Sequence, residues 1–352
     1  MGYKDNIRKV TAYVPGEQPK VVGGLIKLNT NENPYPPSPK VKAAVDALPI
    51  ADMRLYPDTT AAPLAKKIAD YHGLEQNQVF VGVGSDDVLA TCFLTFFAGN
   101  KPILFPDITY SFYDVWADLY KIPYKTVPLD DDFNIRAEDY KCENGGVVIA
   151  NPNAPTSIAA PIEVIEDIIA SNPESIVIID EAYIDYGGES ALNLLDKYEN
   201  LVVVRTFSKS RAFAGMRIGY AMASGGLIDA MNDVKFSINS YTMNCAAIRY
   251  GIAAVEDEEY FREQIDKVIK TREFAVSELS KLGFTCPESS ANFIFAAHES
   301  IPAVEIFEYL KSRNIYVRYF KKPRIDNRLR ITIGTDDQMK KVIEVLKEYI
   351  NK

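Results

Sequence analysis

Short apolar runs separated by amphipathic stretches mark the first two thirds of the chain. Runs at 79–83, 103–105, 146–150, 175–180, 201–206 and 218–222 have strand length, and several are followed by segments of helical period. Strands alternating with helices predict an α/β fold with a mostly parallel sheet flanked by helices, in which functional groups belong at the C-terminal ends of the strands. Near residue 240 the pattern changes. Phe261, Ile265, Val268, Arg272, Ala275, Leu279 and Leu282 define one long amphipathic helix, shorter strands are predicted at 292–297, 315–319 and 329–333, and Met339, Val342, Ile343, Leu346 and Ile350 give a closing helix with a core stripe. Residues up to about 35 are rich in Gly, Pro and Asn and read as an arm. The expected division is an N-terminal arm (1–35), a large α/β domain (36–238) and a smaller α+β C-terminal domain (239–352).

Composition narrows the functional classes. With 352 residues, 47% hydrophobic and 25% charged, the chain can bury a large core. A formal charge of -9 argues against general affinity for nucleic acid or an anionic membrane, so an anionic ligand must meet a local basic cluster. Cys92, Cys142, Cys245 and Cys286 are widely spaced and form no CxxC pair, which predicts neither a metal site nor a disulfide framework and fits a reducing cytoplasm. No secretory leader pattern and no apolar run approaching 18 residues is present, so a soluble, unexported protein is expected. His72 and His298 have no partner at ligand spacing and read as packed or surface residues.

Three segments carry chemistry. In Val202–Arg211 an apolar strand ends in Ser208-Lys209, and a lysine held where a buried strand stops can act as an amine nucleophile, a Schiff-base candidate. In Ser175–Tyr183 a second strand ends at Asp180, a carboxylate that needs a cationic partner if buried. Val79–Leu89 reads as strand, glycine turn and helix, so the amides at Ser85, Asp86 and Asp87 form a helix N-terminus suited to phosphate. The third glycine of a dinucleotide fingerprint is missing there. Amine, strand-end carboxylate and phosphate cradle together describe pyridoxal 5'-phosphate, whose protonated pyridine nitrogen would face Asp180.

Four stretches extend this reading: Ala12–Glu17, Leu28–Tyr35, Leu55–Asp58 and Thr206–Tyr220. With them the chain resembles, end to end, the fold-type I, aspartate-aminotransferase-like pyridoxal-phosphate enzymes, and within these the histidinol-phosphate aminotransferase family. The resemblance implies that Lys209 carries the cofactor and that Ser208 and Arg217 bind its phosphate. Tyr183 would bond its phenolic oxygen, and Tyr110, after the 103–105 strand, would lay its ring on the pyridine. Tyr56 would reach the phosphate of a neighbouring subunit's cofactor, which implies a homodimer with active sites at the interface. Arg330 matches the arginine that grips a substrate carboxylate, Arg318 the residue that binds the substrate phosphate, and Tyr13 and Asn33 further substrate contacts. One departure stands out. The family's Asn-Pro-Asn-Asn-Pro-Thr-Gly loop here reads Asn151-Pro-Asn-Ala-Pro-Thr-Ser157. Ala154 cannot bond the phenolic oxygen, which leaves Asn153 or Tyr183 to do so, and Ser157 replaces a glycine with easy access to positive φ.

The activity implied is amino transfer between L-histidinol phosphate and 2-oxoglutarate, yielding imidazole-acetol phosphate and L-glutamate, in histidine biosynthesis. Within the same fold, an aromatic or general amino-acid aminotransferase and a threonine-phosphate decarboxylase share the cofactor residues. A non-enzymatic pyridoxal-phosphate-binding protein is the alternative from another class.

Overall fold

The structure is a computed structural model that describes residues 2–19 and 23–351; residues 1 and 20–22 of the predicted arm, and residue 352, lie outside them. The arm contains a two-residue strand, β1 (Ile26–Lys27). Seven strands follow in one sheet: β2 (Val79–Gly82), β3 (Ile103–Pro106), β4 (Tyr124–Val127), β5 (Gly146–Ala150), β6 (Val177–Asp180), β7 (Leu201–Thr206) and β8 (Gly219–Ala223). Their spatial order is β2-β8-β7-β6-β5-β3-β4, and only β8 runs against the others. The reason lies in the connection. Parallel neighbours need a long crossover, whereas β7 and β8 are joined by residues 207–218 alone, so the chain must turn back beside itself. This loop carries both Lys209 and Arg217 and holds them at the same sheet edge as the C-terminal ends of β5 and β6.

The central strands are buried on both faces, as near-continuous Val/Ile runs require. Val147, Ile149, Val177, Ile179 and Val203 enter one apolar core, while Val148, Ile178, Val202 and Val204 enter the core on the opposite face. Helices α1 (Pro39–Asp46), α2 (Ala62–His72), α3 (Ser85–Phe96), α4 (Tyr113–Tyr120), α5 (Ile162–Ala170), α6 (Gly225–Ile238) and α7 (Cys245–Val255) are distributed around the sheet. Ala247, Ile248 and Val255 of α7 share the core of Leu64 and Ile68 of α2. The packing therefore places α7 with the large sheet, beyond the change of pattern near residue 240.

A second core begins with α8 (Glu258–Ser280), which buries Phe261, Ile265, Val268, Arg272, Ala275 and Leu279. It includes residues from strands β9 (Phe284–Thr285), β10 (Phe293–His298) and β11 (Ile315–Tyr316), from β13 (Leu329–Thr332), and from helices α9 (Ala303–Ser312) and α10 (Asp336–Ile350). Beside β13 runs β12 (Arg318–Tyr319), completing an antiparallel sheet of order β12-β13-β10-β9. The single strand expected at 315–319 is split at Val317: β11 leaves this sheet and pairs in parallel with β1. Leu28 of the arm joins the same core, so the arm is anchored to the small domain. α10 opens with a capping box between Thr335 and Gln338.

Candidate active site

Two adjoining chambers open at the C-terminal edge of the large sheet. The inner one, about 90 Å³, is lined by Ser85, Asp86, Tyr110, Asp180, Tyr183, Ser208, Lys209 and Arg217, with Ala150, Pro152, Ala154 and Ala182 completing its wall. The outer one, about 190 Å³, includes Tyr13, Asn29, Thr30, Asn31, Arg318, Phe320 and Arg330. Tyr110, Ala154, Tyr183 and Lys209 belong to both. A larger open cleft of about 830 Å³ elsewhere, with Asp131, Glu163, Glu288 and Arg328 in its wall, contains none of the predicted site residues.

At the junction, Lys209 Nζ lies 3.4 Å from the Thr30 carbonyl and 5.6 Å from the centre of the Tyr183 ring. It forms no ion pair among the described residues, which leaves an amine free to react. Asp180 ends β6 inside the inner chamber. Its Oδ2 accepts from the Tyr113 hydroxyl at 2.8 Å and its Oδ1 from the Ala182 amide at 3.2 Å, and it has no cationic partner among the described residues. Burial pushes its pKa up to about 6, against the pull of those two donors. A protonated ring nitrogen in this chamber would supply the missing cation.

The phosphate end is built from glycine, helix and arginine. Gly84 precedes α3 at φ 89°, and a Cβ there would lie 2.5 Å from Arg217 Nη2; a Cβ at Gly219 would lie 2.3 Å from Gly84 C and Ser85 N. Only glycine permits this close approach of β8, the turn and the guanidinium. The first amides of α3 have no intrahelical acceptor and point along the positive end of its dipole. Arg217 Nη1 lies 3.4 Å from Ser208 Oγ, and Nη2 lies 3.3 Å from Asp86 Oδ2. Asp86 also accepts from the Tyr110 hydroxyl at 2.7 Å, which fixes that ring at the chamber wall. Exposed N–H donors, a hydroxyl and a guanidinium fit a phosphate dianion; with Lys209 and Asp180 they fit the whole of pyridoxal 5'-phosphate.

In the outer chamber, Arg318 and Arg330 stand directly opposite each other on antiparallel β12 and β13. Like charges in that register destabilise the pair unless an anion lies between or beside them. Arg330 is half-buried over the Phe293 and Phe320 rings, 5.4 and 5.6 Å from their centres, and donates to the Asn29 carbonyl at 2.9 Å. Burial, and then Arg318, work against its charge, and its Nε has no acceptor among the described residues. Neither arginine pairs with a carboxylate among the described residues. Tyr13 from the arm stacks on Phe112 at 4.0 Å and closes the side of the chamber.

Two expected contacts, Asn153 and Asn33, are placed differently, while the Asp87 amide lies in the first turn of α3 and Tyr56 is the residue expected to serve a neighbouring subunit. Asn153 does not line the inner chamber: its Oδ1 accepts from Thr109, and its Nδ2 donates to the Ile108 carbonyl and the Thr156 hydroxyl. Asn33 does not face the substrate side, because its Nδ2 is taken up by the carbonyls of Ser210 and Lys209, at 3.0 and 3.3 Å, where it braces the lysine loop. The Asp87 carboxylate turns back to accept from the Val83 amide at 2.9 Å and stabilises the turn. Tyr56 lies outside both chambers, 81% exposed and stacked on Tyr241. Two residues escaped the sequence reading. Tyr113 resembled any aromatic at the start of a helix, and Asn31, which donates to the Tyr183 hydroxyl at 2.9 Å, is one of several asparagines in the arm.

Comparison with known proteins agrees with this geometry. The aminotransferase class I and II family matches residues 24–346. A histidinol-phosphate aminotransferase of Lactococcus lactis subsp. lactis (strain IL1403) is 51% identical over 352 residues, covering 100% of this chain and 98% of that protein. The enzyme of the same name from Acinetobacter baylyi is also 51% identical, covering 99% of this chain and 97% of its own length. The solved structure of histidinol-phosphate aminotransferase from Sinorhizobium meliloti in complex with pyridoxal-5'-phosphate shares the fold, with a TM-score of 0.85 at 23% identity over 93% of this chain and 91% of that one. The chain belongs to the class I and II aminotransferases and, within them, to the histidinol-phosphate aminotransferase family.

Proposed function

We propose that this protein transfers an amino group between L-histidinol phosphate and 2-oxoglutarate, with pyridoxal 5'-phosphate as cofactor. The observation that carries the substrate assignment is the facing pair Arg318 and Arg330, two guanidiniums without carboxylate partners among the described residues, in the chamber that Lys209 joins to the cofactor site. When bound, pyridoxal 5'-phosphate supplies an electrophilic carbonyl carbon and a protonated ring that disperses the charge left by removal of a substrate proton.

The chain's own groups divide the remaining work. Lys209 Nζ, at the boundary of the chambers, holds the cofactor and, once released, takes the proton from the substrate carbon and returns it as a general acid. Asp180 keeps the ring nitrogen protonated through a charge-assisted hydrogen bond, and Tyr183 donates to the phenolic oxygen. Ser208, Arg217 and the α3 amides hold the phosphate, for which Arg217 must exchange its contact with Asp86. Arg330 grips the 1-carboxylate of 2-oxoglutarate, while Arg318, helped by Tyr13, takes either the distal carboxylate or the phosphate of histidinol phosphate. Phe320 supplies an apolar part of the outer chamber's wall, and Phe112 backs the Tyr13 ring. The active unit is a homodimer in which Tyr56 reaches the neighbouring site, and the reaction takes place in the cytoplasm. No helix among the described residues is long and apolar enough to cross a membrane.

The test is turnover of the purified, cofactor-loaded protein with 2-oxoglutarate and, side by side, histidinol phosphate, phenylalanine and threonine phosphate. Histidinol phosphate should give the highest kcat/KM, and Lys209→Ala should lower it by about 10⁴-fold, the upper range for a general base. Faster turnover of phenylalanine, decarboxylation of threonine phosphate, or full activity of Lys209→Ala would overturn the assignment.

A further inference from the structure

The wall of the inner chamber beside Tyr183 is formed by Ala154 and Ala182, so the tyrosine hydroxyl is the polar group available there. That hydroxyl accepts from Asn31 Nδ2 at 2.9 Å. An amide nitrogen can only donate, and a phenol oxygen that accepts has its own proton left for another direction. The orientation of Asn31 is fixed by its other polar atoms. Thr332 Oγ1 accepts from the Asn31 backbone amide at 3.0 Å and gives its own proton to Asn31 Oδ1 at 3.0 Å, while the Asn31 carbonyl accepts from Asn292 Nδ2 at 3.0 Å. The residue sits at φ 57°, a conformation asparagine tolerates better than most side chains. An amide flip would set Nδ2 against the Thr332 hydroxyl, which would have to turn its proton to another acceptor, and Oδ1 against the tyrosine hydroxyl; the unflipped orientation keeps the Thr332 proton on Asn31 and leaves the tyrosine proton free.

We infer that Asn31 is a positioning residue for Tyr183: it turns the tyrosine proton into the inner chamber and supplies, at one remove, the hydrogen bond that Ala154 cannot make to the cofactor's phenolic oxygen. Donation from Asn31 also polarises the tyrosine O–H and makes it a stronger donor. The inference rests on the function proposed above. It differs from a purely structural role, a tie between the arm and β13, because it predicts a change in the cofactor's own titration.

The test is an absorbance titration of the bound cofactor against pH, with cofactor affinity and thermal midpoint measured alongside. Asn31→Gly removes the amide and accepts the positive φ. The midpoint of the titration should rise by about one pH unit, a tenfold change in the proton equilibrium, and cofactor affinity should weaken in step. Adding Ala154→Asn, which places an amide on the chamber wall, should restore the midpoint. Asn31→Asp, of the same shape but accepting, should also raise it. A midpoint unchanged in both Asn31 variants overturns the inference, as does a shift in Asn31→Gly that Ala154→Asn does not reverse. Borohydride fixation of the chromophore at Lys209 and turnover of histidinol phosphate by the unmutated protein report separately on the parent reading, so either can fail without the other.

Discussion

Asp180 shows how one residue's environment becomes a measurable property. Its carboxyl has no cationic partner among the described residues, and burial moves its pKa from 3.8 to about 6. Between those values the folded protein retains a proton that the unfolded chain has lost, so the stabilisation is present below the unfolded value and disappears as pH rises through about 6. In the cofactor-free protein, Asp180→Asn should therefore gain on the unmutated chain as pH increases from 4 to 7, by on the order of 3 kcal/mol for a shift of this size. Cofactor binding at pH 7 should reverse that order, because the ring nitrogen pairs with the carboxylate and not with the amide. Thermal midpoints of both proteins, with and without cofactor, check this; parallel pH curves would contradict it. Other single residues were legible to different degrees. The two histidines read as packed residues: His72 contacts the Tyr220 hydroxyl at 3.1 Å with its pKa held near 3 by burial, Arg205 and Arg211, and His298 Nδ1 accepts two backbone amides. Asn33 and Asn153 were marked by type and position, but a polar side chain beside a site can serve backbone as readily as ligand, and each does so here.

Among the elements, legibility followed burial. β5 and β7 were readable to the residue because both faces are covered, whereas β4, at the sheet edge and exposed at three of its four residues, offers no apolar run to detect. The loop after β5 carries a testable anomaly. Ser157, where the family has glycine, is buried at φ 68° and its hydroxyl has no partner among the described residues. Relieving the left-handed strain and the unmet hydroxyl gains more than glycine loses in the unfolded chain. Ser157→Gly should raise the unfolding free energy by about 1 kcal/mol in denaturant titrations, with little effect on turnover. A loss of stability would show that the surrounding loop has adapted to serine.

For the whole molecule, Ile50, Met53, Leu55 and Tyr56 are all exposed in one short stretch of chain, and Tyr56 stacks on the exposed Tyr241. Clustered exposed apolar residues of this kind mark a surface for protein–protein contact. Sedimentation should give a dimer at micromolar concentration. Tyr56→Phe, which keeps the stacked ring and removes the hydroxyl, should weaken cofactor binding about tenfold, the loss of one charge-assisted hydrogen bond. Dimers mixed from Tyr56→Phe and Lys209→Ala subunits should recover one tight site, because the partner then contributes the intact tyrosine. Two weak sites in the mixture would place Tyr56 outside the neighbouring chamber.

By itself the sequence determined the alternation of buried strands and amphipathic helices, the lysine after one strand end and the carboxylate at another, because apolar periodicity and the burial of charge are local in the chain. Tertiary structure alone decided which polar atoms remained free for ligand. The facing of Arg318 and Arg330 follows from the β12–β13 register, the hold of Tyr113 on Asp180 from the packing of α4 beside β6, and the reach of Asn31 to Tyr183 from pinning the arm to β13. Hydrogen bonds are short and directional, and residues 152 positions apart in sequence cannot be matched as donor and acceptor until the fold has brought them within 3 Å.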